Sequence, residues 1–500
     1  MSSWPNLFVA LSILGIGFGL FLLLLGVLLF SWSSLFRKFW QSKQARVVFV
    51  RRLFFYQIIG LSLLGIIFFT LHVHIPSVME FEDFTMDFVM SLYRGIIPPI
   101  EEKNIPPFVL LDIDNKTNRS WGQPLYTPRD KLRNLIDVAV QAKARLIVVD
   151  IDVSRAEPHD QELKEYLEKH VTKCKEKQSV CSPIILVRTL SELAHGSTPA
   201  EPRTGFFDGV VTTESAPYVQ WGSAQFSAFS NNVVRRWRLW EPACTKEQPE
   251  VIPSMELLVM DMIQRCSENI QNTLRSLQPQ SCNGNVVVAP PTFVTFCGLT
   301  MSTDYKSVQQ RIMYRIPGYD TNASKSPKHV VHDNNNVPIL TVFSAQPYAE
   351  SPSQESLEIM TGSIVVIGGS YNLGGGANDI HPTPIGDMPG AIVVINAIYS
   401  VLQRITIKPV SIWIWFAIAA VFIVIITLLS YFSSRRWRIL RWGSIFIIIG
   451  GLLFYSVILF EDGTWLNIAI PLLIIKIYQA IYQAIYRNTW AKKFANRFIN

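Results

Sequence analysis

FVLLDIDNKTNRSWGQPLYTPRDKLRNLIDVAVQAKARLIVVDID, residues 108–152, is the stretch that decides the fold. Two short apolar runs, 108–113 and 146–151, are rich in β-forming residues and close on acids. The first closes on Asp112 and Asp114, the second on Asp150 and Asp152. Between them, residues 129–144 place Leu132, Leu135, Ile136, Val138 and Val140 on one side of a helix. Two strands joined by a helix of this length make a βαβ unit and therefore a parallel pair. Both acid pairs then share the carboxyl edge of the sheet, where open α/β sheets place ligand sites. Thr127 suits an N-cap and Pro128 a first helical position. Arg129 is placed to pair with one of the strand-end acids.

The pattern continues outward. Residues 161–175 read as a helix and 183–187 as a strand. Residues 205–345 are less regular. They offer strand-like runs at 206–212, 285–289, 311–316 and 337–343 and one helix at 254–266. Residues 363–368 are a strand, and its end, 365–368, has no polar residue, so it belongs at the sheet centre. A long glycine-rich loop at 369–389 leads into a helix at 391–402. The loop holds Gly374, Gly375 and Gly376, but its spacing matches neither the P-loop nor the dinucleotide fingerprint. Pro389 and Gly390 suit a turn into a helix. Asp379 and His381, also in this loop, join Asp112, Asp114, Arg129, Asp150 and Asp152 as candidate ligand-binding residues. Two readings stand open. Acids and a histidine at one edge can bind a cation or polar ligand; acids at such positions also cap helices and bond loop backbone. No nucleophile elbow, zinc-protease motif or kinase loop set occurs. The chain is not read as an enzyme, and no catalytic residue, metal or cofactor is expected.

Five apolar runs flank this block: roughly 7–30, 53–71, 410–432, 442–460 and 466 onward. Each is near the ~20 residues that a bilayer core requires. The formal charge of +7 divides unevenly. Residues 1–74 carry six basic residues and no acid, residues 409–500 nine basic residues and two acids, and residues 75–408 the remaining 30 basic and 36 acidic. The basic excess lies beside the apolar runs, which excludes a nucleic-acid partner as its explanation and marks cytoplasmic loops. Residues 75–408 then fall outside. All six cysteines, Cys174, Cys181, Cys244, Cys266, Cys282 and Cys297, lie there, as disulfides in an oxidising compartment require. Of the fifteen possible pairings, proximity favours Cys174–Cys181, with Cys266–Cys282 nested inside Cys244–Cys297. Residues 79–95 read as an amphipathic helix leaving the membrane, with Phe81, Phe84, Phe88 and Leu92 as its apolar face and Glu82, Asp83 and Asp87 between them. In the last apolar run, Lys476 and the stripe Tyr478, Tyr482 and Tyr486 read as a helix-packing or interfacial face.

Taken together, the acidic opening helix, FVLLDID, TPRDKL, ARLIVVDIDVS, NNVVRRWRL and the closing GSIVVIGGS and DIHPTPIGDMPGAIVVINAIYSVL resemble the CHASE2 family of extracytoplasmic sensor domains across residues 79–404. The closing piece is the most specific, with Asp379, Thr383, Pro384, Gly386, Met388, Pro389, Gly390 and Asn396. The resemblance implies a periplasmic input domain of a bacterial inner-membrane receptor. Family members usually continue into a cytoplasmic kinase or cyclase, whereas this chain is expected to be a standalone form without one.

The expected architecture is an α/β extracytoplasmic domain with a mixed, partly parallel sheet, anchored by about five transmembrane α-helices. Residues 1–74 supply two of these, 75–408 the domain, and 409–500 three more with a short basic tail. The expected function is a multi-pass inner-membrane sensor subunit that binds a ligand or envelope protein and relays its state to a separate membrane or periplasmic protein. The alternative is a scaffold subunit of an envelope complex. The bilayer lipid is an expected partner, and a homodimer fits the symmetry of most assemblies.

Overall fold

Asp83 and Asp87 lie on the inward face of the first helix, α1 (Pro76–Ile96). Three arginines meet them there. Arg236 Nη2 lies 2.6 Å and Arg311 Nη1 2.8 Å from Asp83, Arg235 Nη2 lies 2.8 Å from Asp87, and Arg311 also pairs with Asp87. The expected apolar face is therefore corrected. Met86, Val89 and Met90 are buried beside the acids, while Phe81, Phe84 and Phe88 are exposed; of the expected face only Leu92 packs against the core. The arginines supply opposite charge and directed donors, which is what allows acids to be buried.

The computed structural model describes residues 76–96, 105–410 and 450–466, apart from 178–180, 191–199, 213, 229–231, 246–247, 265, 267–269, 278–281, 283–291, 305–307, 324, 334, 351–353, 372–378, 404–406, 452 and 461–462. They fall within one structural unit, Pro76–Trp415 with Phe446–Ala469.

After α1 come β1 (Phe108–Ile113), α2 (Asn115–Ser120), α3 (Arg129–Gln141), β2 (Leu146–Asp150), α4 (Asp160–Lys177), β3 (Ile184–Val187) and β4 (Val219–Gly222). Next are β5 (Phe226–Ala228), β6 (Val234–Trp237), β7 (Trp240–Thr245), β8 (Gln248–Pro253), α5 (Met255–Gln264), α6 (Ile270–Ser276), β9 (Phe293–Phe296) and β10 (Leu299–Ser302). Then follow β11 (His329–His332), β12 (Pro338–Ser344), α7 (Gln346–Glu350), α8 (Gln354–Met360), β13 (Ile364–Gly369), β14 (Ile380–Thr383), β15 (Gly386–Pro389) and α9 (Gly390–Leu402). The last two strands are β16 (Lys408–Pro409) and β17 (Thr464–Trp465).

A seven-stranded sheet runs β11–β12–β1–β13–β2–β3–β4. Only the β11–β12 pair is antiparallel, so the sheet is mixed and largely parallel. β1 and β2 are parallel but not neighbours, because β13 lies between them. Every residue of β13 is buried, as a strand covered on both faces requires. Alternation sorts the side chains. Phe108, Leu110, Leu146, Val148, Ile364 and Val366 pack with α1, α5 and α9. Val109, Leu111, Ile147, Val149, Val365 and Ile367 pack with α3, α4, α7 and α8.

Several expectations change in the middle of the chain. Residues 206–209 form a 3-10 turn rather than a strand. Residues 285–289 lie outside the described residues. Residues 311–316 join no named strand. Polar groups on the buried face of α9 hold them instead: Asn396 accepts from the Ile316 amide at 2.9 Å and donates to its carbonyl at 3.0 Å, and Ser400 accepts from the Met313 amide at 2.9 Å. The 369–389 loop contains the β14–β15 hairpin; Gly374, Gly375 and Gly376 lie outside the described residues. Cys174 and Cys181 pair as expected, with Cα atoms 5.5 Å apart. The nested pairing does not form. Cys244 pairs with Cys282 and Cys266 with Cys297, at Cα separations of 5.8 and 5.0 Å. The interleaving arises because Cys297 sits in the β9–β10 turn beside the end of α5, so spatial proximity replaces sequence proximity.

The expected set of about five transmembrane helices is also corrected. Among the described residues no helix is long and apolar enough to cross a membrane. The longest, α1, carries Glu80, Glu82, Asp83 and Asp87 within its 21 residues. The runs 7–30, 53–71, 410–432 and 466 onward, with Lys476 and the tyrosine stripe, lie almost entirely outside the described residues, and 442–460 is described only from 450.

Non-reducing peptide mapping of the intact chain is expected to recover Cys244 linked to Cys282 and Cys266 linked to Cys297. Recovery of Cys266 linked to Cys282 would contradict this arrangement.

Candidate functional site

Parallel pairing places four residues in one row across the carboxyl edge. Ser344 of β12 is level with Asp112 of β1, Asp112 with Gly368 of β13, and Gly368 with Asp150 of β2. By strand alternation all four face α9. Two strand spacings put the Asp112 and Asp150 Cα atoms about 10 Å apart. Gly368 separates them because the start of α9 presses there: a Cβ on Gly368 would come within 2.5 Å of the Ala391 Cβ.

Asp112 is 1% exposed. Ser370 donates to its Oδ2 at 2.9 Å, and Lys328 Nζ lies 3.5 Å from the same oxygen. Its Oδ1 has no hydrogen-bond partner among the described residues. Burial raises its pKa to about 6, against the opposing pull of Ser370 and Lys328. Tyr319 is pushed well above the ordinary tyrosine range by burial and then by the Asp112 charge. Asp114 behaves differently. Burial favours its neutral form, but bonds from Lys328 and Thr117 outweigh this and hold its pKa below the ordinary value. Its Oδ1 accepts the Thr117 amide at 2.7 Å and caps α2. Lys328 thus bridges both acids, and it also donates to the Thr321 carbonyl at 2.9 Å.

Asp150 stands on the other side of Gly368. Burial and then the charge of Asp379 push its pKa up to about 7, with His381 opposing. Asp379 and His381 pair at 2.9 Å and are the exposed members of the group, at 49% and 38% of their side chains. The Asp379 carbonyl accepts the Gly390 amide at 2.8 Å. Its carboxylate occupies the space that a Cβ on Gly390 would need. This places an anion at the amino end of α9, where the helix dipole and free amides favour it. The hydrogen bond that His381 donates to the Asp379 carboxylate raises the His381 pKa. Glu256 on α5 is 2% exposed. Burial raises its pKa to about 8, its own amide and Ser254 oppose this, and the Asp150 charge adds to it.

Asp152 and Arg129 belong to the scaffold. Asp152 accepts the Ser154 amide at 2.8 Å and the Thr189 hydroxyl at 2.7 Å, with Arg203 at 3.8 Å. Burial opposes ionisation there, but the bonds from Ser154 and Thr189 prevail and lower its pKa. Arg129 does not pair with a strand-end carboxylate. It is fully buried, binds Asp160 at 2.9 Å and donates to the Thr127 and Arg155 carbonyls. Thr127 is not the N-cap of α3; Pro128 holds that position. Lys328, Ser370 and Tyr319 had no local signal in the sequence. Glu256 offered a weak one, an acid in the otherwise apolar start MELLVM of α5.

The described residues contain two groups close enough to chelate an ion, His170 with Cys174 and Cys181, and Asp261 with Cys266 and Cys297. The cysteines of both are consumed in disulfides, so neither presents thiolates. The edge acids are spread along the row and form no such group.

The CHASE2 domain model matches residues 60–433. The chain belongs to this family of extracytoplasmic sensor domains. No curated protein and no solved structure matches it.

Lys328→Met leaves two buried carboxylates without their cation and is expected to cost about 3–5 kcal/mol in denaturant unfolding. Asp112→Asn tests the pH sign. The raised folded pKa means that the folded chain holds the Asp112 proton more tightly, so this contribution is full below about pH 4 and lost as pH rises through about 6. The substitution is expected to remove about 3 kcal/mol of pH-dependent stability between those limits. An unchanged stability–pH slope would contradict the assignment.

Proposed function

We propose that this CHASE2 domain is the input module of a periplasmic sensor, reading its stimulus at the carboxyl edge and passing the change to a separate protein through α1. The observation that carries the reading is the row Asp112–Gly368–Asp150, with two carboxyls held against their charged form and α9 pressed between them. Such groups are far from their ordinary ionisation balance, and perturbed titratable groups gather at functional sites. A stimulus that favours one charge state over the other shifts the population of two conformations, as sensing requires. No covalent chemistry is needed, and the reading is non-enzymatic.

The output side is α1. Its two acids are gripped by Arg235, Arg236 and Arg311 from distant parts of the chain, and its Glu82 accepts from Trp465 Nε1 at 3.1 Å. A buried charge network of this kind has a few discrete arrangements rather than a continuum, which suits a relay element. The three cysteine pairs support an oxidising, extracytoplasmic location.

A scaffold role in an envelope complex is the second reading. The exposed Phe81, Phe84 and Phe88 of α1, at 37%, 64% and 46%, favour it. Spaced by three and four residues, they share one helix face, and such a face suits protein docking.

Affinity capture of the intact chain from native cell-envelope extracts, with mass-spectrometric identification, separates the two. Recovery of a kinase, cyclase or other signalling protein is expected. A fixed-stoichiometry set of structural envelope proteins would replace the sensor reading with the scaffold one.

A further inference from the structure

We propose that Asp150, Glu256 and the Asp379–His381 pair form a proton-binding site that holds the β14–β15 hairpin against α9 while protonated and loosens it as the protons leave. The four groups come from three separate parts of the chain: the end of β2, the first turn of α5, and the segment entering the hairpin. Asp150 and the Asp379 carboxylate both lie at the start of α9, beside Gly368 and Gly390, and His381 pairs with Asp379. Glu256 is nearly fully buried, its Oε1 has no hydrogen-bond partner among the described residues, and the Asp150 charge acts on it.

The surrounding charges are committed elsewhere. From beyond β3, Arg188 pairs with Asp208 and lies 4.9 Å over the Trp221 ring. Arg203 lies against Asp152, and Arg129 of α3 against Asp160. Tyr371, which follows β13, is bonded to Thr127, and burial with the Asp379 charge keeps its hydroxyl protonated. α9 has no charged residue at all. With all three carboxyls ionised, His381 offsets only one of them. Burial and the neighbouring negative charge favour the neutral forms of Asp150 and Glu256, so these two carboxyls retain protons that they would otherwise lose. The values of about 7 for Asp150 and about 8 for Glu256 put that loss in the neutral range.

The hairpin is the member held to the core by side-chain packing on α9 and β6, through the buried Met388, rather than by strand pairing to the main sheet. Asp150 and Glu256 are fixed in core elements, whereas β14 and β15 pair only with each other, and Asp379 and His381 are the exposed groups. β14 packs against β6, whose Arg235 and Arg236 hold Asp87 and Asp83 of α1. Loosening the hairpin thereby reaches the clamp on α1. That last step rests on the sensor reading; the proton site itself does not.

The sign follows from linkage. A carboxyl with a raised folded pKa stabilises the fold most below its unfolded pKa, near 4, and loses that contribution as pH rises through the folded value. The test uses the full-length chain. Thermal midpoints are followed from pH 5.5 to 8.5, with hydrogen exchange of residues 379–390 corrected for the intrinsic pH dependence. In the native sequence the midpoint is expected to fall above pH 6.5, and corrected exchange of 379–390 to quicken roughly tenfold, the equivalent of one pKa unit. Glu256→Gln removes one carboxyl without changing shape and is expected to abolish most of both changes. Asp150→Asn is the second variant and is expected to do the same. A flat native profile, a native-like pH response in both variants, or faster exchange that spares 379–390 would each overturn the proposal. Affinity capture is independent of these readouts: an empty capture with the pH response intact removes the relay and leaves the proton site standing.

Discussion

The register of the parallel ladder is the constraint from which the rest of the structure follows. Inserting β13 between β1 and β2 puts Gly368 level with Asp112 and Asp150. Only a residue without a side chain lets Ala391 close on that point, so α9 starts between two acids. Asp379 then finds its place at the Gly390 end of the helix. A slip of one residue would turn Asp112 and Asp150 to the opposite face of the sheet, into the apolar layer of α3 and α4. Apolar packing on both faces fixes the register, and the register assembles the site.

Buried charge is handled in two ways in this molecule. At α1, each acid meets more than one guanidinium, and the lone pairs are used by directed donors. Asp114 and Lys328 form a smaller version of the same arrangement. At Asp112, Asp150 and Glu256 the compensation is incomplete. Desolvation exceeds what their partners return, and the neutral form gains. The first kind of site gives a defined geometry. The second kind is balanced near neutrality, where small changes in the surroundings shift the charge. Having both in one domain, joined through β14 and β6, is what makes a sensory role physically reasonable.

Much of this was legible locally. The strands at 108–113 and 146–150, the helix after Pro128, the central position of β13 and the shared edge of the acids all follow from short-range periodicity and parallel pairing. What was not legible depends on distant partners. Nothing near residue 110 says that a strand from 364–369 will intervene before β2. Phe81, Phe84 and Phe88 fit an apolar helical face as well as any residues. They are exposed because Asp83 and Asp87 are drawn inward by arginines about 150 and 230 residues away. Cys266 pairs with Cys297 because the β9–β10 turn folds back on α5, a contact invisible to spacing. Lys328 and Glu256, which set the charge balance of the edge, arrive from segments with no motif.

The most direct test of the central claim is a double-mutant cycle at the contact between Gly368 and Ala391. Gly368→Ala adds a methyl where the α9 backbone begins, and overpacking of this kind costs about 1–3 kcal/mol. If α9 is seated on Gly368, Ala391→Gly in the same chain restores most of that loss, and the cycle shows a coupling energy well above the few tenths expected of independent sites. Additive costs, with no rescue, would mean that α9 does not press between Asp112 and Asp150, and the account of the edge would fail.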